Sequence, residues 1–281
     1  MPPAILTPRH ATAAAPAFVD AAWLAANLEA VRVIDTRRGA DYLDAHVPSA
    51  SSFALDALLV EDTSHAALHR LARAAQAALA ARGIAPDDHV VLTDDSDGSA
   101  ALGALVCRLA GMTRISVLLG GISSWRRSGH GVAHAPSDLR AVAAEAWADV
   151  ETRFTHVATF EQLEHAVRTS TAHVIDVRSQ LEHDGIIGSP CCRSRGAIPE
   201  SMHVEWTAFV DMAGLPHGIE RVRAIGEHLG LGRDEAIILS CHAGHRAAVA
   251  AGILRSAGFS NVRVSLGSWH EWSARAAERA R

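Results

Sequence analysis

Val33-Ile34-Asp35-Thr36-Arg37 returns as Val174-Ile175-Asp176-Val177-Arg178, a shift of 141 positions (174 minus 33). Three more blocks follow in the same order. His46-Val47-Pro48 corresponds to Ala197-Ile198-Pro199, and Val90-Val91-Leu92-Thr93-Asp94 to Ile237-Ile238-Leu239-Ser240-Cys241. Leu119-Gly120 with Trp125 corresponds to Leu266-Gly267 with Trp272. One shared tripeptide is chance; four ordered blocks are a duplication. The last two blocks are shifted by 147 (237 minus 90), so the second half holds a modest insertion, for which Gly185 to Arg195 is the obvious stretch.

Each half alternates short β-branched runs with Ala/Leu-rich stretches. Strands are expected at Val31–Ile34, Val90–Leu92 and Ile115–Leu118, then at Val174–Val177, Ile237–Leu239 and Val262–Ser265. Helices are expected at Ala66–Ala81 and Ala100–Ala110, then at Phe160–Arg168, Ile219–Leu229 and Ala247–Ala257. Thr159 and Gln162 have the spacing of a capping box before Phe160. Short apolar strands between helices predict an α/β fold, a mostly parallel sheet with helices on both faces, built twice. The boundary falls between Gly129 and Thr155, where Pro136 interrupts. This divides the chain into domains 1–135 and 156–281 with a linker at 136–155. The helical-looking part of the linker, Leu139 to Ala148, is expected to pack across both domains.

At 281 residues the chain suits two domains of about 140 residues. An apolar fraction of 49% gives each a core, and a net charge of −5 argues against a nucleic-acid grip. All 26 basic residues are Arg, which, like the 17 scattered His, reads as composition bias. Four cysteines are too few for a disulfide framework. The proline-broken start does not read as a signal peptide, and no apolar run reaches the roughly 18 residues of a membrane span. A cytoplasmic protein with reduced thiols, no cofactor and no membrane partner is expected.

The chemistry concentrates in Cys241-His242-Ala243-Gly244-His245-Arg246, where a buried strand runs into an Ala-rich helix. Loops at the carboxyl ends of parallel strands carry ligands in such sheets. Backbone N–H groups and the helix dipole favour negative charge there, and Gly244 permits tight curvature. Arg246, and His242 or His245 when protonated, add positive charge. Cys241 is therefore expected to be a nucleophile with a depressed pKa. For a cysteine taken at random, inert burial is the better reading; the five residues that follow this one reverse it.

With these residues in view, the chain resembles the rhodanese family. The carriers are Val174-Ile175-Asp176-Val177-Arg178, Gly196-Ala197-Ile198-Pro199, the loop Cys241-x-x-Gly244-x-Arg246, and Leu266-Gly267-Ser268-Trp269 with Trp272. The resemblance implies tandem rhodanese-like domains and a sulfurtransferase of the thiosulfate or 3-mercaptopyruvate type. Cys241 would take a sulfane sulfur as a persulfide and pass it to cyanide or a thiol. It also implies that the C-terminal domain alone is catalytic, and Asp94 at the position of Cys241 agrees, since a carboxylate cannot take up that sulfur. Glu200 and Ala197 depart from the family's Gly-His-Ile-Pro-Gly pattern, and the loop matches neither donor preference, so the donor is left open.

Other residues take lesser roles. Arg193 and Arg195 are weaker candidates for the donor's anionic end. Asp176 and Arg178 are read as a pair tying strand to loop, and Trp269 and Trp272 as core. Cys191-Cys192 falls in the insertion without assigned chemistry, a redox pair or second thiol being the alternatives. A zinc site from Cys241, His245, Cys191 and Cys192 has imperfect spacing, so no metal is expected. A Cys-dependent phosphatase or arsenate reductase places five residues between Cys and Arg, against four here (242 to 245). A non-catalytic rhodanese-like binding module is the third reading.

Overall fold

The computed structural model describes residues 15–137 and 141–279, and the repeated Val-Ile-Asp blocks occupy equivalent strands of two sheets. The first half runs β1 (Phe18–Val19), α1 (Ala21–Asn27), β2 (Arg32–Asp35), α2 (Gly39–Asp44) and β3 (Ser51–Ser52). It continues with α3 (His65–Ala81), β4 (Val90–Thr93), α4 (Ser99–Leu109), β5 (Ile115–Leu118) and α5 (Gly121–Arg127). The second half runs β6 (Val157–Ala158), α6 (Phe160–Thr169), β7 (His173–Asp176), α7 (Gln180–His183) and β8 (Met202–His203). It continues with α8 (Ile219–His228), β9 (Ile237–Ser240), α9 (His245–Ser256), β10 (Val262–Ser265) and α10 (Ser268–Arg279). The sheets have orders β1-β5-β4-β2-β3 and β6-β10-β9-β7-β8, every pair parallel. The fold is α/β, made twice, as the duplication requires.

Strand alternation explains the layers. Ile34, Val90, Leu92 and Ile115 pack with α3 and α4, whereas Val33, Val91 and Leu118 pack with α1, α2 and α5. In the second sheet Ile175, Ile237 and Leu239 face α8 and α9, and Val174 and Ile238 face α6 and Trp269 of α10. Burial on both faces is why these strands read as unbroken apolar runs. The capping box at Thr159 and Gln162 forms as expected. The two-residue edge strands β1, β3, β6 and β8 escape sequence patterning because they are shorter than any period.

Between Asp35 and Ser51 on one side, and Asp176 and Met202 on the other, the second half is longer by ten residues (151 minus 141). The excess lies between α7 and β8, the interval that holds Gly185 to Arg195.

The two halves share a core. Leu68 and Ala72 of α3 and Leu102, Leu105 and Leu109 of α4 join one apolar cluster with Ala247, Ala248 and Ala251 of α9. Across the same interface, buried Glu271 accepts from the Thr63 backbone N–H at 3.0 Å and its hydroxyl at 2.6 Å. The linker does not pack as expected. Leu139 lies outside the described residues, and a single 3-10 turn forms at Ala144–Trp147. Trp147 is buried in the first domain, where its indole N–H donates to the Ile84 carbonyl at 3.1 Å. Gly111, at φ +101°, lets the chain pass close by: a Cβ there would stand 2.5 Å from the Glu151 carbonyl. One large apolar side chain therefore settles the linker on the first domain.

Candidate active site

Strand β9 is fully buried and ends on Cys241, itself 1% exposed. The Ser240 register against Asp176 sets the carboxyl ends of β7 and β9 level. Gly244 then adopts φ +89° as the N-cap of α9, a conformation that favours glycine. This turn brings the Gly244 N–H back onto Cys241 Sγ at 3.1 Å. Two further contacts fix the cysteine from behind. Its backbone N–H donates to Ser268 Oγ at 3.0 Å, and that hydroxyl donates to the Ser265 carbonyl at 2.6 Å. The first turn of α10 grips the loop's carbonyls, with Trp269 N–H on Cys241 O and His270 N–H on His242 O, both at 3.0 Å.

The first domain has the same frame with a different occupant. Gly98 N-caps α4 at φ +86°, and the Ile122 N–H donates to Asp94 O as Trp269 does to Cys241. The Asp94 carboxylate accepts from the backbone N–H groups of Ser96, Gly98 and Ala100 at 3.0 to 3.1 Å. Burial pushes this carboxyl up to about 6 against the pull of those three donors, with Asp97 nearby. The loop's donors are thus taken by its own side chain.

Residues 20–128 and 159–275 each match the model of the rhodanese-like domain. The chain belongs to the rhodanese-like domain family. It is similar to the 3-mercaptopyruvate sulfurtransferase of Escherichia coli K12, at 29% identity over 92% of this chain and 95% of that one. It is also similar to the thiosulfate sulfurtransferase of Bos taurus, at 27% identity over 92% and 93%. Among solved structures, SseA from Escherichia coli, a 3-mercaptopyruvate sulfotransferase, aligns with a TM-score of 0.72 and 24% identity over 90% of this chain and 98% of that one. Wild-type EanB aligns at 0.80 with 19% identity, over 92% of this chain and 67% of its own. At these identities the two structures speak for the fold.

Within this rhodanese-like site the expected residues divide. Ala243 and Gly244 form the turn. Arg246 reaches Glu182 with both terminal nitrogens, Nη1 to Oε2 at 2.7 Å and Nη2 to Oε1 at 2.9 Å. Burial opposes ionisation of Glu182, yet the hydrogen bonds and charge of Arg246, with Ser179 donors, hold it at about 2. Arg246 therefore enters the site already paired. His245 turns away, its Nε2–H donating to the Leu55 carbonyl of the first domain at 3.1 Å. Through this contact the imidazole ties the second domain to the first. His242 approaches Cys191, Nε2 to Sγ 3.2 Å. Burial, aided by Arg246 and His270, pushes its pKa below the ordinary value, which works against the positive charge expected of it.

Arg195 bends back to the Ile186 carbonyl, and Arg193 lines a cavity with Cys191, Cys192 and His270. Arg178 grips Asp176 at 2.6 Å and the Gly196 carbonyl at 2.7 Å, and Arg37 grips Asp35 and the Ala45 carbonyl in the same way. Both halves need this tie, which makes it part of the fold. Trp269 is core, with its indole N–H on the Ser194 carbonyl. Cys191 and Cys192 approach His242 and His270, not Cys241 and His245. Sequence reasoning missed Ser268, Glu182 and His270. Only Ser268 had a signal, as the residue after the repeated Leu-Gly.

Among the described residues no helix is long and apolar enough to cross a membrane.

Proposed function

We propose that the chain is a sulfurtransferase in which Cys241 carries the moving sulfur as a persulfide. The observation that carries this reading is the Gly244 N–H aimed at Cys241 Sγ from 3.1 Å, at the end of β9 and the start of α9. A backbone donor and a helix N-terminus stabilise negative charge on sulfur, both in the attacking thiolate and in the terminal persulfide. Homology to curated sulfurtransferases over most of the chain supports the same chemistry.

The thiolate attacks the outer sulfur of the donor, forming an S–S bond. With thiosulfate, the S–S bond inside the donor breaks and sulfite leaves with its electron pair; with 3-mercaptopyruvate, the C–S bond breaks and pyruvate leaves as its enolate. Cyanide or a thiolate then attacks the terminal sulfur, forming thiocyanate or a persulfide and returning the thiolate. No cofactor is needed. The donor is thiosulfate or 3-mercaptopyruvate, and the exposed Arg193 and Arg195 are the candidates for its anionic end. Residues 156–281 are the catalytic domain. Residues 1–135 are its non-catalytic partner, since Asp94 offers no sulfur, and 136–155 link them. Soluble cytoplasmic work with small molecules fits the free thiols.

The phosphatase reading is weaker. Four residues separate Cys241 from Arg246, and the guanidinium that should clasp a phosphate is occupied by Glu182.

The deciding experiment is intact mass after incubation with thiosulfate or 3-mercaptopyruvate. A gain of about 32 Da, one sulfur atom, removed by cyanide and absent in Cys241→Ser, is the expected result. No gain with either donor, or an equal gain in Cys241→Ser, overturns it.

A further inference from the structure

The insertion that distinguishes the second domain folds back over the loop after β9. It brings Cys191 and Cys192 to His242 of that loop and His270 of the first turn of α10. One donor atom from each of the four lies within 4.8 Å of the other three. Cys191 Sγ is 3.2 Å from His242 Nε2, and the two imidazoles meet edge to face with centroids 6.1 Å apart. A tetrahedral site with metal–sulfur bonds of about 2.3 Å and metal–nitrogen bonds of about 2.0–2.1 Å sets its donors about 3.3–3.8 Å apart. The set closes to that size by moving inward about 1 Å at its widest.

His270 gives an independent sign. It is 9% exposed, and its Nδ1 is buried with no hydrogen-bond partner among the described residues. Its other nitrogen, Nε2, lies 3.8 Å from the Glu61 carboxylate. An orphaned buried nitrogen asks for a partner. The separation from Glu61 is too long for a hydrogen bond, so the unpartnered Nδ1 is the sign that counts.

We propose that Cys191, Cys192, His242 and His270 bind a thiophilic d10 cation, zinc(II) by the chemistry of the set. On binding, two thiol protons leave to solvent, and two metal–sulfur and two metal–nitrogen bonds form. Two thiolates cancel the cation's charge. Of the nearby arginines, Arg246 is paired with Glu182, Arg178 with Asp176 and Arg275 with Glu271 and Asp62, and Arg193 is exposed. The adjacency of the cysteines argues against a metal only while the histidines, 51 and 79 positions beyond Cys191 (242 and 270 minus 191), are out of view. The bound ion pins the insertion to the loop and to α10. Cys241 stays outside the set, with the Gly244 N–H on its sulfur.

The test is a cobalt(II) titration of the reduced, metal-free full chain, read as thiolate-to-cobalt charge-transfer absorption. One equivalent per chain is expected, displaced by zinc(II), and Cys241→Ser should keep it. The Cys191→Ser/Cys192→Ser double variant should lose the band, and His270→Ala should weaken binding at least ten-fold. No band in wild type overturns the proposal, as does a band kept by the double variant and lost in Cys241→Ser. If the double variant fails to fold, His270→Ala decides, and unchanged affinity there overturns it. None of these readouts depends on sulfur transfer.

Discussion

Arg246 and Glu182 meet as a two-pronged ion pair that joins the start of α9 to α7, 64 residues apart (246 minus 182). The pair is mostly shielded, with side chains 25% and 19% exposed. The folded carboxyl sits at about 2, below its ordinary 4.5. A depressed acid contributes stability that is complete above its unfolded value and is lost as the pH falls through its folded value. The window is therefore pH 4.5 down to about 2, and the contribution at neutral pH is at most about 3 kcal/mol. Glu182→Gln should be less stable than wild type at pH 7, by about 1–3 kcal/mol. The gap should close on acidification toward pH 2. Denaturant unfolding at a series of pH values measures it; a gap that does not change with pH would remove the ion pair as its source.

Ser268 is the hinge between the cysteine and the helix behind it. Its buried hydroxyl takes the Cys241 N–H and gives its own proton to the Ser265 carbonyl. Ser268→Ala leaves a buried N–H without a partner, at a cost of about 1–3 kcal/mol. If Cys241 is the sulfur carrier, the loosened backbone should also lower kcat while KM for the donor changes little. Steady-state kinetics beside thermal unfolding separates the two effects. A stable variant with full kcat would show that the loop holds its shape without this bond.

The fold was legible where burial on both faces writes a continuous apolar run, as in Val90–Leu92 and Ile237–Leu239, and where the halves could be laid on each other. It was not legible at β1, β3, β6 and β8, whose two residues carry no period, nor at Trp147, whose pocket lies 63 residues back at Ile84. In the loop after β9, the turn at Gly244 was readable because a strand-to-helix turn is local. The direction of His245 was not readable because it depends on a carbonyl of the other domain. Glu182 was invisible because nothing in Gln180–His183 announces Arg246. The general cause is range: local chemistry shows in the order of residues, while partners brought by the fold do not.

Gly244 makes a sharper test of the loop. At φ +89°, a side chain there is strained whatever the space, and its Cβ would stand 3.2 Å from the Leu266 carbonyl. Gly244→Ala should cost about 1–3 kcal/mol and draw the backbone N–H away from Cys241 Sγ. The cyanide-removable mass gain should fall at least ten-fold. Retained sulfur loading would mean that the persulfide is stabilised by some other donor.

Asp94 and Cys241 begin corresponding loops, so exchanging their roles tests which features belong to the fold. The Asp94 carboxylate caps three backbone N–H groups of its own loop, and Asp94→Ala strips them of their acceptor. By analogy with the loss of a helix N-cap, this should destabilise the chain by about 0.5–2 kcal/mol. The first domain then unfolds more readily, while each folded molecule still loads one sulfur on Cys241. Cys241→Ser should do the reverse, keeping the thermal midpoint within a few degrees and losing the sulfur entirely. Unfolding and intact-mass measurements on both variants read this out together. A loss of sulfur loading in folded Asp94→Ala would mean that the first domain takes part in the chemistry and is not only its frame.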